Sequence, residues 1–338
     1  MHIYIRKIFF FVFVAMLIFA YFARFSASFF IFPTIVEFLT ILMYNDDRTT
    51  ENAVVNLKNR GILLMQSYRL ITSDLDGTLL GNDMTVSPEN EFAIRAMSAQ
   101  NVCFVPCSGR TFSEISPEIR DNPHVRYVIH SDGAVIYDKI LNKRITACMS
   151  KEISARVMDI LAEYEVCSTV RHLGNSYIDA AQKNAASFAY HRVSPYFCTL
   201  IGETAAPRIR FHDFCRSMEE IELFCVFFHS EAELKECKRR LEAIQEIQVV
   251  SSDPANLEII SKDAGKGNAL LRLAKEMGVD PSQTIAVGDS PNDLSMLSTA
   301  GLGLAVQNAC DAAKDVADAV ICSNQEHIAR YIFNHYLH

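Results

Sequence analysis

No two cysteines in this sequence form a Cys-x-x-Cys pair, although the 338-residue chain has ten of them. That spacing underlies the common tetrahedral zinc modules, so its absence excludes them. Cys103, Cys107, Cys148, Cys167, Cys198, Cys215, Cys225, Cys237, Cys310 and Cys322 are scattered. Several fall in apolar strands or on helix faces, as reduced core residues do, and unpatterned thiols favour a cytoplasmic setting. Long basic tracts are missing too. With a net charge of −8 and only short groups of Lys and Arg, general nucleic-acid binding is excluded. The chain has no internal repeat and no low-complexity linker, which leaves compact domains rather than an array. At 50% hydrophobic residues it can hold two packed domains.

The densest chemistry follows the apolar stretch Tyr68-Arg69-Leu70-Ile71-Thr72. There the sequence reads Asp74-Leu75-Asp76-Gly77-Thr78-Leu79-Leu80. An apolar run ending in two carboxylates at i and i+2, then glycine, predicts a buried strand leaving a sheet. Alternation puts both Asp side chains on one side. Two like charges held so close call for a cation or a shared proton. One Asp then suits a nucleophile that takes a phosphoryl group and the other a general acid/base, with Mg²⁺ offsetting the charge. The plain alternative is a turn with two solvated carboxylates.

Three later segments fit the same chemistry. In Val105-Pro106-Cys107-Ser108-Gly109-Arg110 a strand meets a loop. Ser108 and the Gly109 N–H there suit a phosphate, because glycine lets backbone approach closely; the alternative for Ser108 is a helix cap. Lys266 stands between Gly265 and Gly267, before apolar-periodic Ala269, Leu270, Leu271 and Leu273. A cation at a helix start opposes the dipole and wants an anion; the alternative is a solvated surface lysine. Asp289 follows the strand Thr284-Ile285-Ala286-Val287, in Gly288-Asp289-Ser290-Pro291-Asn292-Asp293. Carboxyl ends of strands in open α/β sheets bind ligands, and carboxylate oxygens favour Mg²⁺ over zinc.

These four segments, in this order, resemble the four motifs of the haloacid dehalogenase-like phosphohydrolases, and the resemblance covers roughly Met65 to His338. It implies that Asp74 is the nucleophile and Asp76 the acid/base, with Thr78 orienting Asp76. Ser108, Gly109 and Lys266 would hold phosphoryl oxygens, with Asn292 also contacting phosphate. Asp74, the Asp76 carbonyl and Asp289 would ligate Mg²⁺, and Asp293 would fix Lys266 or a metal-bound water from behind. His130-Ser131-Asp132-Gly133-Ala134 and the segments Asn256–Ile259 and Ala305–Ala309 are similar to the Cof-type subfamily. Asp132 stands where that subfamily usually has Asn, which either disfavours very acidic substrates or is a plain turn residue.

Spacing predicts the architecture. Asp74 to Ser108 is 34 positions, room for one helix and one strand, whereas Ser108 to Lys266 is 158, far more than a crossover needs. The expectation is an α/β fold: a Rossmann-like doubly wound parallel sheet core with an inserted α/β cap domain. Its parts are an apolar extension at 1–64, core at 65–141, cap at 142–254 and core again at 255–338. Capping signals predict helices from Ser87-Pro88 and Ser150, and after Ser230. In the cap, Arg171, His172, Tyr177, His191 and Arg192 are candidates to meet a sugar or an anion, with His172–Ile178 as a substrate-facing loop. His212, like each of these alone, also fits a structural role. Cys107, next to Ser108, is a candidate for inhibitory oxidation.

The first residues carry a separate puzzle. Arg6-Lys7 precede an unbroken apolar run of 16 residues, Ile8 to Ala23, and a second, interrupted stretch spans Phe25 to Tyr44. Either Met65 is the true start, or 8–44 anchors the chain in a membrane, or the segment is a secretory signal. The function expected is a Mg²⁺-dependent phosphatase of small phosphorylated metabolites, sugar phosphates or cofactor-related phosphates. A phosphomutase of the phosphomannomutase type and a non-catalytic, membrane-tethered binding protein are the alternatives. The expected partners are the metabolite and Mg²⁺, with no nucleic acid, and a membrane only through the extension.

Overall fold

The structure is a computed structural model and describes residues 68–337. The expected extension, its possible anchor and the choice of Met1 or Met65 lie outside the described residues. Among those, no helix is long and apolar enough to cross a membrane.

The strands, in chain order, are β1 (Leu70–Ser73), β2 (Cys103–Pro106), β3 (Tyr127–His130), β4 (Val135–Asp138) and β5 (Lys143–Thr146), then β6 (Met149–Ser150), β7 (Val166–His172), β8 (Asn175–Asp179) and β9 (Ala206–Arg208). They continue as β10 (Glu220–Ile221), β11 (Leu223–Phe228), β12 (Ile247–Val250), β13 (Asn256–Ser261), β14 (Thr284–Gly288), β15 (Leu302–Ala305) and β16 (Ala319–Val320). The central sheet has the order β16-β15-β14-β1-β2, all parallel. β1 and β14 are buried along their whole length, as strands covered on both faces are. Their connections leave in opposite directions, so β1 and β14 flank the switch point where such sheets form crevices. Asp74 and Asp289 each follow one of these strands directly.

Helix 88–99 starts as expected, with Ser87 accepting the Asn90 N–H (3.2 Å) and Pro88 in the first turn. It packs against helix 328–336, while helix 266–277 packs on helix 294–299. Beyond β2, the antiparallel β3-β4-β5 sheet continues the layer through a parallel bridge from Cys107 to Ile129.

The second sheet has the order β12-β13-β11-β7-β8-β9, antiparallel except for β8–β9. Helices 151–161, 211–217 and 231–241 share an apolar cluster with one of its faces. Helices 185–190 and 195–204 share another cluster with Cys225, Phe227 and with Ala134 and Val135 of the β3–β4 hairpin. Two strands near the expected boundaries have the following partners. Lys143–Thr146, expected in the cap, hydrogen-bonds to β4. Asn256–Ser261, expected in the core, pairs with both β11 and β12. An apolar strand reads the same from sequence whichever sheet takes it, and only its partners decide.

A buried polar knot gathers around Glu222, between β10 and β11. Glu222, fully buried, accepts from Arg144 Nη2 (2.7 Å), Ser131 Oγ (2.8 Å) and the Gly174 N–H (2.9 Å). His130 Nδ1 lies 3.6 Å from the same carboxylate. Burial lowers the His130 pKa from 6.5 to about 4, with Glu222 opposing and Arg144 and Arg171 adding to it. Between those values the unfolded chain binds the extra proton, so this contribution is complete above pH 6.5 and is lost as pH falls towards 4. Its size is at most about 3 kcal/mol. Denaturant unfolding at pH 7 and pH 4.5 should therefore show wild type losing about 2 kcal/mol more than His130→Asn. Equal losses would remove His130 from the account of acid stability.

Candidate active site

The turn after β1 sets the site. Asp74 N–H donates to Val287 O (2.9 Å), which ties the end of β1 to β14. Gly77 then takes φ +78°, and a Cβ there would lie 2.8 Å from Asp289 Oδ2. Only glycine lets the backbone turn this tightly against that carboxylate. The turn aims Thr78 at Asp289, with Oγ1 donating to Oδ1 at 2.9 Å. Thr78 was expected to orient Asp76; instead it orients Asp289.

Lys266 opens helix 266–277 and is 1% exposed. Its Nζ donates to Asp74 Oδ1 (2.7 Å) and Asp293 Oδ1 (2.6 Å), both carboxylates being buried. Asp293 Oδ2 accepts the N–H groups of Asp289 and Ser290, each at 3.0 Å, so Asp293 is fully used as a brace. Burial alone would lower the Lys266 pKa, but Asp293 and Asp74 outweigh it and keep the ammonium charged. Burial pushes the Asp74 pKa well up; Lys266 opposes this, while Asp293, Asp289 and Asp76 reinforce it. Burial and then Asp293 raise Asp289 to about 6. One lysine therefore faces an excess of carboxylate, and oxygens of Asp74, Asp289 and Asp293 lie within 4.8 Å of one another. An oxygen-only donor set of this charge fits a hard divalent cation.

Ser108 is 1% exposed, and its Oγ accepts the Arg110 N–H (3.1 Å), leaving its own proton to donate. Gly109 lines the same cavity, and its carbonyl accepts from Arg171. Asn292 also lines it, with Nδ2 donating to Asp132 Oδ1 (3.0 Å). Asp132 sits 1% exposed at φ +48°, and the Gly265 N–H donates to its carbonyl (2.8 Å). It is thus packed on the helix start that presents Lys266.

Asp76 has a partner that the sequence reading missed. Arg110 grips it with two bonds, Nε to Oδ2 (2.9 Å) and Nη2 to Oδ1 (2.6 Å). Arg110 in turn lies 5.8 Å from the ring centre of Tyr196, on helix 195–204. The cavity, about 350 Å³, is closed on that side by Tyr196, Phe197 and Leu200, with Ser252, Asp253 and Glu258 also lining it. Arg110 belonged to the quoted loop, and an arginine two positions after Ser108 was the available signal. Nothing local marked Tyr196, Asp253 or Glu258.

Of the cap candidates only Arg171 lines the cavity. The His172–Ile178 segment is a tight hairpin, not an open loop, and its Gly174 carbonyl accepts the Ser113 N–H (2.9 Å). His172 meets Glu220 O, Tyr177 packs on Phe214, and His191 bonds Ser187 within its own helical turn. His212 and Arg192 are exposed and outside the cavity lining. Cys107 is fully buried, and burial pushes its thiol well up, so the expected oxidation has neither access nor thiolate.

A family model described as haloacid dehalogenase-like hydrolase matches residues 71–332. The chain is 30% identical over 297 residues to the phosphatase YwpJ of Bacillus subtilis, covering 80% of this chain and 100% of YwpJ. It is 28% identical to YwtE of the same organism, a 5-amino-6-(5-phospho-D-ribitylamino)uracil phosphatase, covering 80% and 98%. A solved haloacid dehalogenase-like hydrolase from B. subtilis aligns with a TM-score of 0.68 at 28% identity, over 80% of this chain and 100% of that one.

Proposed function

Since the chain belongs to the haloacid dehalogenase-like hydrolases, we propose that it is a Mg²⁺-dependent phosphatase of small phosphorylated metabolites, working through an aspartyl-phosphate on Asp74. The observation that carries this is the buried Lys266 bridge between Asp74 and Asp293, set beside Asp289 in the cavity wall. The names of YwpJ and YwtE support the same reaction class.

Asp74, Asp289 and the Asp76 carbonyl would hold Mg²⁺. When bound, it offsets the carboxylate charge and withdraws charge from the phosphoryl oxygens. The remaining steps belong to the chain. Lys266, Ser108 and the Gly109 N–H hold the phosphoryl oxygens and place phosphorus in line with Asp74. An Asp74 oxygen forms the new bond to phosphorus while the bond to the leaving oxygen breaks. Asp76 gives that oxygen a proton, then takes one from the water that attacks the aspartyl-phosphate, releasing phosphate and restoring Asp74. Both Asp76 oxygens are on Arg110 here. Proton delivery therefore requires one of those bonds to be exchanged for the leaving group, which makes Arg110 a positioning residue.

The test is phosphate release by the full chain from a panel of phosphomonoesters with no bisphosphate present. Release is expected with Mg²⁺, lost in EDTA and restored by excess Mg²⁺. Release that survives EDTA would remove the metal. Transfer that needs a bisphosphate activator would favour the mutase.

A further inference from the structure

The cavity has two ends of different character. The floor holds Asp74, Ser108, Gly109 and Asp289, and the far end is built from Tyr196, Phe197, Leu200, Ser252, Asp253 and Glu258. The two cations in the lining, Arg110 and Arg171, already face carboxylates, although the buried Arg171 Nε has no hydrogen-bond partner. Arg110 is held by Asp76, and Arg171 spans the Gly109 carbonyl and Glu114, whose Oε2 is 3.5 Å away. The Asp253 carboxylate accepts a short-range bond from the Ala255 N–H (3.0 Å).

Glu258 sharpens this. It is 1% exposed, lines the cavity, and its Oε2 has no donor. Asp132, also 1% exposed, has an Oδ2 without a donor, and its charge opposes that of Glu258. A second anion would meet the Asp253 and Glu258 carboxylates with only Arg171 nearby, whose charge already acts on Glu114, Glu258 and Asp132, whereas hydroxyl or amino donors would find acceptors, and Tyr196 and Phe197 offer an apolar wall.

We propose that Asp253 and Glu258 make the far end select phosphomonoesters whose leaving group is neutral or cationic and rich in hydroxyl or amino donors, and exclude those with a second anionic group. This deepens the phosphatase reading and rests on it. It also separates the chain from a mutase, which must seat a second phosphate at that end.

A matched pair tests it: sorbitol 6-phosphate against 6-phosphogluconate, which differ by a carboxylate in place of a hydroxymethyl group. Para-nitrophenyl phosphate serves as the general substrate, with Mg²⁺ present throughout. We expect kcat/KM at least about tenfold higher for sorbitol 6-phosphate, that factor corresponding to one decade of discrimination. Asp253→Lys should shrink the ratio at least about tenfold. Asp253→Asn should shift it less and in the same direction, which covers the case of a misfolded lysine variant. A ratio within about threefold of unity in wild type, or one that neither variant moves, overturns the selectivity and leaves the phosphatase intact. No phosphate from any of the three esters removes the phosphatase reading, and the selectivity with it.

Discussion

Asp74→Asn is expected to lower phosphate release at least about a thousandfold while the protein stays folded, as for lost nucleophiles. The two halves of that statement have different physical origins. Turnover falls because an amide oxygen is a poor nucleophile and its phosphoryl adduct cannot form. Folding survives because the site is not tuned for stability. Burial and three neighbouring carboxylates hold the Asp74 pKa well above its ordinary value despite Lys266. A carboxyl whose folded pKa is raised stabilises the fold only below its unfolded pKa, and that contribution is lost as pH rises through the folded pKa. At neutral pH without metal, the ionised side chain is therefore a cost, and an isosteric amide relieves it. The variant should unfold at the wild-type temperature or slightly above it in EDTA. Mg²⁺ should raise the wild-type melting temperature more than the variant's, because the cation binds the folded state through Asp74. Near-normal turnover would remove Asp74 as nucleophile. A large loss of Tm would say that its bond to Lys266 holds the fold.

The parts of this molecule that could be read from sequence are those whose meaning is local. Asp74 and Asp76 announce themselves because a strand end followed by two carboxylates and a glycine has few uses. Lys266 and Asp289 do so because each sits at the end of an element that hydrophobic periodicity delimits. The parallel core follows from the same marks. What could not be read depends on which distant residue arrives opposite. Thr78 meets Asp289, 211 positions away, because Gly77 turns the chain with a positive φ. Arg110 finds Asp76 across two loops. Asp253 and Glu258 reach the cavity only because β13 pairs with the second sheet and carries their segment over the site. Glu222 is one acid among many in the sequence. Its burial among three donors from distant segments exists only once those segments are assembled.

Lys266→Met should be the most damaging single change to stability, and it should cost turnover as well. The lysine is the one cation between Asp74 and Asp293, all three groups being buried. Removing one partner of a buried ion cluster leaves the others desolvated and unpaired, a loss of roughly 3–5 kcal/mol. In a body of this size that lowers Tm by on the order of 10 °C. Methionine fills much the same volume, so the loss is electrostatic and not a cavity effect. Phosphate release should fall at least about a hundredfold, as when one preorganised donor to a developing charge is removed. Lys266→Arg keeps the charge but cannot place a planar fork where a point ammonium reaches two carboxylates. It should recover part of the Tm and little of the turnover. Excess Mg²⁺ should also recover part of the Tm of Lys266→Met, since a second cation offsets the same carboxylates, without restoring turnover. A variant that keeps wild-type Tm in EDTA would mean that Asp74 and Asp293 take up protons instead of sharing the ammonium. The lysine would then serve the phosphoryl group alone.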